Sequence, residues 1–311
     1  MSLRMRLVAG TMRPMARAIS ARAQDPRRVR LYLKRTARFF FREVPFALYR
    51  PAGYAAGGGR MRRALWVSAR ARPVPGKVLL YLHGGGYLAG SPRTHKRLVA
   101  RLCRMSGLRA FVPAYALAPE HPVPAQLADA GAAHAHLLAM GYAPGDIVLG
   151  GDSAGGGMAL ALLAQLCRRG QAPAAVFAWS PFCDQTFSGE SVRENAGRDH
   201  FFPAGRVHEL ARMILGDTPA DDPRASPLFA DFPGCPPVLL QVSGSEILRD
   251  DAVRMADRLR AAGAEVRLEV WDDAPHVWHI FDGWFPEARQ AIGQTAGFIR
   301  HHLGLPSPGD S

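Results

Sequence analysis

No run of about 18 or more uninterrupted apolar residues occurs in this 311-residue chain, so no stretch of it reads as a bilayer-spanning helix. Cysteine is scarce, and the four that occur, Cys103, Cys167, Cys183 and Cys235, are scattered without paired short spacings. That pattern excludes a zinc knuckle or a dense disulfide framework and leads us to expect a reducing cytoplasm. Acidic residues are nearly missing from one end. Residues 1–42 hold twelve Arg or Lys against the single acid Asp25, which accounts for eleven of the thirteen net positive charges. The rest of the chain is close to neutral, so this is a basic arm on an ordinary body and not a basic protein. No zinc-finger, RNP or basic-zipper pattern accompanies the arm, and nucleic acid is not expected as a partner. The first twenty residues also lack the continuous apolar core and small-residue cleavage site of a secretory signal, so none is expected.

Within the arm, Met5, Val8, Met12, Met15 and Ile19 recur every three or four residues, flanked by Arg4, Arg6, Arg13 and Arg17. The spacing predicts an amphipathic helix, kinked at Pro14. It either covers the protein's own core or makes contact with an anionic membrane surface. A second helical stretch, 26–41, ends in Phe39, Phe40 and Phe41, three adjacent aromatics that need a surface to bury against.

After "AAGGGR" the pattern changes to short apolar runs bounded by Gly and Pro: "ALWVSA", "KVLLYLH", "LRAFVPAY", "DIVLGGD", "AAVFAWS", "PVLLQVSG" and "VRLEVWDD". These read as strands, and helical patterns over 94–106, 124–139, 158–169, 249–262 and 286–302 lie between or after most of them. Strand alternating with helix predicts an α/β fold, with a mostly parallel central sheet flanked by helices. The alternation breaks over 182–236, which is too long for a structureless loop and contains one helical pattern, "AGRVHELARMI". We therefore expect residues 1–45 and 182–236 to form a helical cap on a catalytic domain of 46–181 and 237–304.

The chemistry centres on "GGDSAGGG". Gly151-Asp152-Ser153-Ala154-Gly155 fits Gly-X-Ser-X-Gly between a strand and a helix, where small residues allow a strained turn that exposes the serine hydroxyl. A serine hydroxyl becomes a nucleophile only with a base to take its proton, and attack on a carbonyl needs donors for the oxyanion. Directly after an earlier strand comes "LHGGGY", where the amides of Gly84 and Gly85, with that of Ala154, are expected to form the oxyanion hole. His83 precedes these glycines and is assigned to holding the loop. The spacing carries neither a P-loop lysine nor G-X-G-X-X-G, so nucleotide binding is not expected. Downstream of Ser153, only His276 and His279 lie in a loop that follows a late strand. For the acid, Glu246 follows the strand "PVLLQVSG", with Asp250, Asp251, Asp272 and Asp273 as rivals. Glu246 is favoured because an acid from a separate strand end is the recurring arrangement on such sheets.

The segments "HGGGY", "YALAPEHPVPAQLADA", "GGDSAGGG", "DPRASPLFAD", "SEILRDDAVRMADRLRAAG" and "PHVWHIF" run in order through the chain. Together they resemble the hormone-sensitive-lipase-like bacterial esterases of the α/β-hydrolase superfamily. The resemblance selects His276 over His279 and puts Glu246 where most relatives carry aspartate. It departs at Tyr115-Ala116, where the family has Tyr-Arg. It implies the α/β-hydrolase fold and a carboxylic ester hydrolase with a Ser153-His276-Glu246 triad and a covalent acyl-enzyme, acting on short- to medium-chain esters. A lactone or N-acetyl amide hydrolase, or a non-catalytic small-molecule binding protein, is the alternative. No metal or cofactor is required by that chemistry, and relatives commonly form homodimers.

Overall fold

The computed structural model describes residues 2–5, 8, 10, 25, 27, 28, 30–33, 35, 42–202 and 204–306. Eight strands form one sheet: β1 Leu48–Ala55, β2 Met61–Ser68, β3 Val78–Leu82, β4 Arg109–Pro113, β5 Ile147–Asp152, β6 Ala175–Trp179, β7 Val238–Ser243 and β8 Val266–Trp271. Their order is β1-β2-β4-β3-β5-β6-β7-β8. β1 pairs antiparallel with β2 and β2 with β4, and every later pairing is parallel. The expected fold class is therefore present, with one strand more than the apolar runs predict. β1 escapes such a reading because Pro51 and Gly53 break its pattern, and its place at the sheet edge explains why a proline is tolerated there.

The central strands are apolar throughout because both faces are covered. Leu80, Leu82, Leu149 and Ala178 face one core with the helices Ala125–Ala139, Ala154–Arg168 and Arg249–Ala261. The alternate residues Leu79, Tyr81, Val148 and Phe177 face a second core with the helices Pro92–Ser106 and Pro286–His302. Successive side chains of a strand point to opposite faces, so an uninterrupted apolar run is what a doubly covered strand requires. Pro92–Ser106 shows the local signals clearly. Ser91 accepts from the Thr94 amide at 3.2 Å, Pro92 opens the first turn, and Gly107 closes the helix at φ 84.

Residues 182–236 interrupt the alternation with the short helix Ser191–Glu194 and the helix Val207–Leu215. In the arm, residues 3–5, 8 and 10 are helical. Met5 is buried against Trp278, Phe281 and Phe285, with Val8 packed beside them, so these two members of the stripe cover the chain's own core. Met12, Pro14, Met15, Ile19 and Phe39 to Phe41 lie outside the described residues. Among the described residues, no helix is long and apolar enough to cross a membrane.

Candidate active site

The loops after β3, β5, β7 and β8 leave from the carboxyl ends of the strands, where parallel sheets bind their ligands. β5 ends at Asp152, and the helix Ala154–Arg168 begins at once. Ser153 between them has φ 53 and ψ −123, a backbone conformation that a residue with a side chain rarely adopts. The surroundings enforce it: the Ser153 amide donates to Trp179 O at 2.7 Å, and its carbonyl accepts from Gly157 N and Phe182 N. The flanking glycines are needed for space. A Cβ on Gly151 would lie 2.4 Å from Leu82 O, and one on Gly155 only 2.1 Å from the same oxygen.

His276 arrives on the loop after β8. Its Nε2 lies 2.9 Å from Ser153 Oγ, and its Nδ1 lies 2.6 Å from Glu246 Oε2. Both side chains are buried, and the rings of Phe202 and Phe201 lie 4.7 Å and 5.6 Å from the imidazole. Glu246 Oε1 accepts from Ser180 Oγ at 2.7 Å and from Ser243 N at 3.0 Å, while Ser180 Oγ accepts from Val277 N at 3.2 Å. Ser180 thus ties the carboxylate to the residue that follows His276. Nothing in the sequence marked it beyond its place at the end of a strand. Burial by itself would lower the His276 pKa, but the charge and hydrogen bond of Glu246, with help from Asp199 and Asp152, outweigh it and hold the ring above its usual value.

Of the rival acids, Asp250 and Asp251 are engaged elsewhere. Asp250 Oδ2 accepts from Ser191 N and its other oxygen faces Arg249, while Asp251 accepts from the amides of Cys183 and Asp184. Asp272 and Asp273 sit in the turn after β8, where Asp273 lies 3.7 Å from His200. His279 is buried in the turn Trp278–Phe281 and faces Gln241 Oε1 at 2.8 Å, a structural position.

In the oxyanion loop the expected donors Gly84 and Gly85 differ in how their amides are used. The Gly84 amide is not free, because it donates to Asp152 Oδ1 at 3.0 Å. Among the described residues no acceptor is bonded to the amides of Gly85, Gly86 or Ala154. The cause of the difference is a buried carboxylate that sequence spacing could not reveal. Asp152 Oδ1 also accepts from Tyr81 Oη at 2.7 Å, and Oδ2 lies 3.4 Å from His95 Nε2. Burial opposes the charge on Asp152, yet His95, Tyr81 and the Gly84 amide more than offset it and bring its pKa down to about 2. The His83 ring stacks on Tyr115 at 4.1 Å, and the His83 carbonyl accepts from the Tyr115 hydroxyl. Burial and neighbouring His95 push its own pKa down to about 3, so it is neutral at ordinary pH.

Glu120 is paired with a residue of the arm. Both its oxygens meet the Arg30 guanidinium, at 2.8 Å and 2.6 Å, and Arg30 also donates to Leu88 O and Ala118 O. At Ala116 the backbone amide donates to Asp129 Oδ2, and the guanidinium beside that oxygen, at 3.0 Å, comes from Arg62 of β2. Among the described residues, no group of three or more His, Cys, Asp or Glu is placed to hold a metal ion.

Residues 79–280 match the family model of the alpha/beta hydrolase fold. The chain belongs to that family, within its hormone-sensitive-lipase-like esterase branch. It is 38% identical over 230 residues to an acetyl-hydrolase of Streptomyces hygroscopicus, covering 74% of this chain and 77% of the other. It is 34% identical over 224 residues to an esterase of Acinetobacter venetianus, covering 71% and 74%. The crystal structure of an esterase from the bacterial hormone-sensitive lipase family superposes with a TM-score of 0.87 at 38% identity, covering 98% of this chain and 99% of that one.

Proposed function

We propose that this protein is a carboxylic ester hydrolase in which Ser153, His276 and Glu246 act as a triad through a covalent acyl-enzyme. The observation that carries the reading is the unbroken hydrogen-bonded line from Ser153 Oγ through the imidazole to Glu246, 2.9 Å and 2.6 Å long. Ser153 Oγ attacks the acyl carbon as its proton passes to His276 Nε2. The negative oxygen of the tetrahedral intermediate is met by the amides of Gly85, Gly86 and Ala154. His276 then returns the proton to the departing alkoxide, leaving acyl-Ser153 and the alcohol. Water, activated by the same nitrogen, releases the acid and restores the serine. Glu246 keeps its charge throughout; it orients the ring and stabilises the imidazolium, in keeping with the raised His276 pKa.

In this reading residues 46–181 and 237–304 are the catalytic domain, and 1–45 with 182–236 are the cap. Support comes from two contacts: Phe201 and Phe202 pack on His276, and Arg30 bridges the arm to Leu88 and Glu120 beside the oxyanion loop. Aromatic walls this close to the reacting atoms favour esters of short to medium acyl chains. Activity on p-nitrophenyl acetate and butyrate that disappears in Ser153→Ala, with covalent labelling of Ser153 by a fluorophosphonate, is the expected result. Undiminished hydrolysis by purified Ser153→Ala would remove the proposal. Absent labelling of the unaltered protein would favour a binding protein.

A further inference from the structure

The segment from 191 to 199 carries three polar side chains spaced four residues apart, Ser191, Asn195 and Asp199, and all three are buried. Each turns toward the loop that carries Glu246. Ser191 Oγ donates to Ile247 O at 2.7 Å and accepts from Asp250 N at 3.1 Å. Asn195 Nδ2 donates to Gly244 O at 3.0 Å and to Glu246 O at 2.7 Å, so one amide group spans the acid residue. Asp199 Oδ2 accepts from Ile247 N at 2.8 Å. Its other oxygen accepts from Phe201 N at 2.7 Å and Phe202 N at 2.9 Å, which sets the two rings against His276.

We infer that Ser191, Asn195 and Asp199 are positioning residues that clamp the Glu246 loop, and that Asp199 is a second carboxylate acting on His276 through its charge. The inference rests on the Ser153-His276-Glu246 reading and adds a function for the inserted segment: it holds the acid as well as covering the site. A buried side chain that accepts three amide hydrogen bonds is pre-organised to be an anion, and the imidazole on which its two phenylalanine partners pack is the group that becomes a cation during turnover. Burial and the neighbouring Glu246 work against that anion and raise the Asp199 pKa, while the Phe202 and Ile247 amides and His276 counter them. The charged groups acting on His276 are Glu246 from the loop after β7, Asp199 from the inserted segment and Asp152 from β5, while the neighbouring His279 is held by burial well below its usual pKa. Arg198 is turned to Asn195 Oδ1, at 3.4 Å, and His200 to Asp273.

The test compares Asp199→Asn with Asn195→Ser in the full chain, measuring kcat and KM on p-nitrophenyl butyrate from about pH 5 to about pH 9. Each variant weakens the clamp at one of its three members, so both are expected to lower kcat by about tenfold while KM stays within about twofold. Only Asp199→Asn also removes the charge. The imidazolium is then less favoured, and the acid limb of kcat/KM moves down by about one pH unit. A role confined to packing would leave that limb in place. A folded Asp199→Asn with an unmoved limb, or Asn195→Ser with unchanged kcat, overturns the inference. If Asp199→Asn fails to fold, judged by thermal melting, Asn195→Ser decides the clamp and Asp199→Ser, a smaller side chain that also removes the charge, decides the limb. Glu246→Gln separates the two levels: full activity there defeats the triad itself, whereas an inactive Glu246→Gln beside unaffected clamp variants defeats only the present inference.

Discussion

Alanine at position 84 tests whether Asp152 really sets the oxyanion loop. A Cβ added to Gly84 would lie 2.2 Å from Asp152 Oδ2, 2.8 Å from Asp152 O and 3.0 Å from its Cγ. Ordinary contact begins near 3.4 Å, so roughly an ångström of movement must be found. The carboxylate has little freedom to supply it, because Oδ1 is held by Tyr81 Oη and the Gly84 amide while Oδ2 faces His95. The loop moves instead, and the amides of Gly85 and Gly86 move with it. A misplacement of about 1 Å costs on the order of a hundredfold in rate, which is also about the cost of losing one oxyanion donor. Gly84→Ala is therefore expected to lower kcat about a hundredfold on p-nitrophenyl butyrate with little change in KM, and to cost about 1–3 kcal/mol of stability by overpacking. Gly141→Ala serves as the control: its Cβ meets nothing within 4 Å, but its φ of +93 makes it a strained position. That variant should lose about 1 kcal/mol while keeping kcat. A folded Gly84→Ala with kcat within about threefold of the unaltered protein would refute the anchoring of the loop by Asp152.

Ser180→Ala removes the hydroxyl that joins Glu246 Oε1 to the Val277 amide and leaves Ser243 N as the partner of that oxygen; kcat should fall by about tenfold, and an unchanged kcat would show that Ser180 does not position the acid. On the proposed triad the neutral imidazole is the base, and Glu246 raises its pKa, so kcat/KM should fall on acidification with a midpoint above the ordinary histidine value. In Glu246→Gln the imidazolium loses its partner and the limb should move to lower pH, with kcat reduced by about 10⁴. A limb that stays in place would assign the ionisation to another group.

Much of the fold could be read along the chain because its signals are local. β3, β5 and β6 are apolar from end to end because helices cover both of their faces, and Ser91, Pro92 and Gly107 mark the ends of their helix in the order that capping physics demands. β1 was hidden because its Pro51 is tolerated only at a sheet edge, and edge position is a property of the assembled sheet.

For the site, sequence alone determined which residues carry reactive groups and which spacing lets a strained serine turn form: Ser153 between two glycines, the "HGGG" run, and His276 and Glu246 after late strands. Only tertiary structure decided how their hydrogen-bonding capacity is used. The Gly84 amide is taken by Asp152, from a strand 68 residues further on, while the Gly85 and Gly86 amides have no acceptor among the described residues. Ser180, Asn195 and Asp199 hold Glu246 and the residues beside it across separations of 48 to 66 residues. Each of those bonds satisfies a buried polar group with a partner distant in the chain. A backbone amide has the same chemistry at every position, and what it donates to is settled only when the core closes around it.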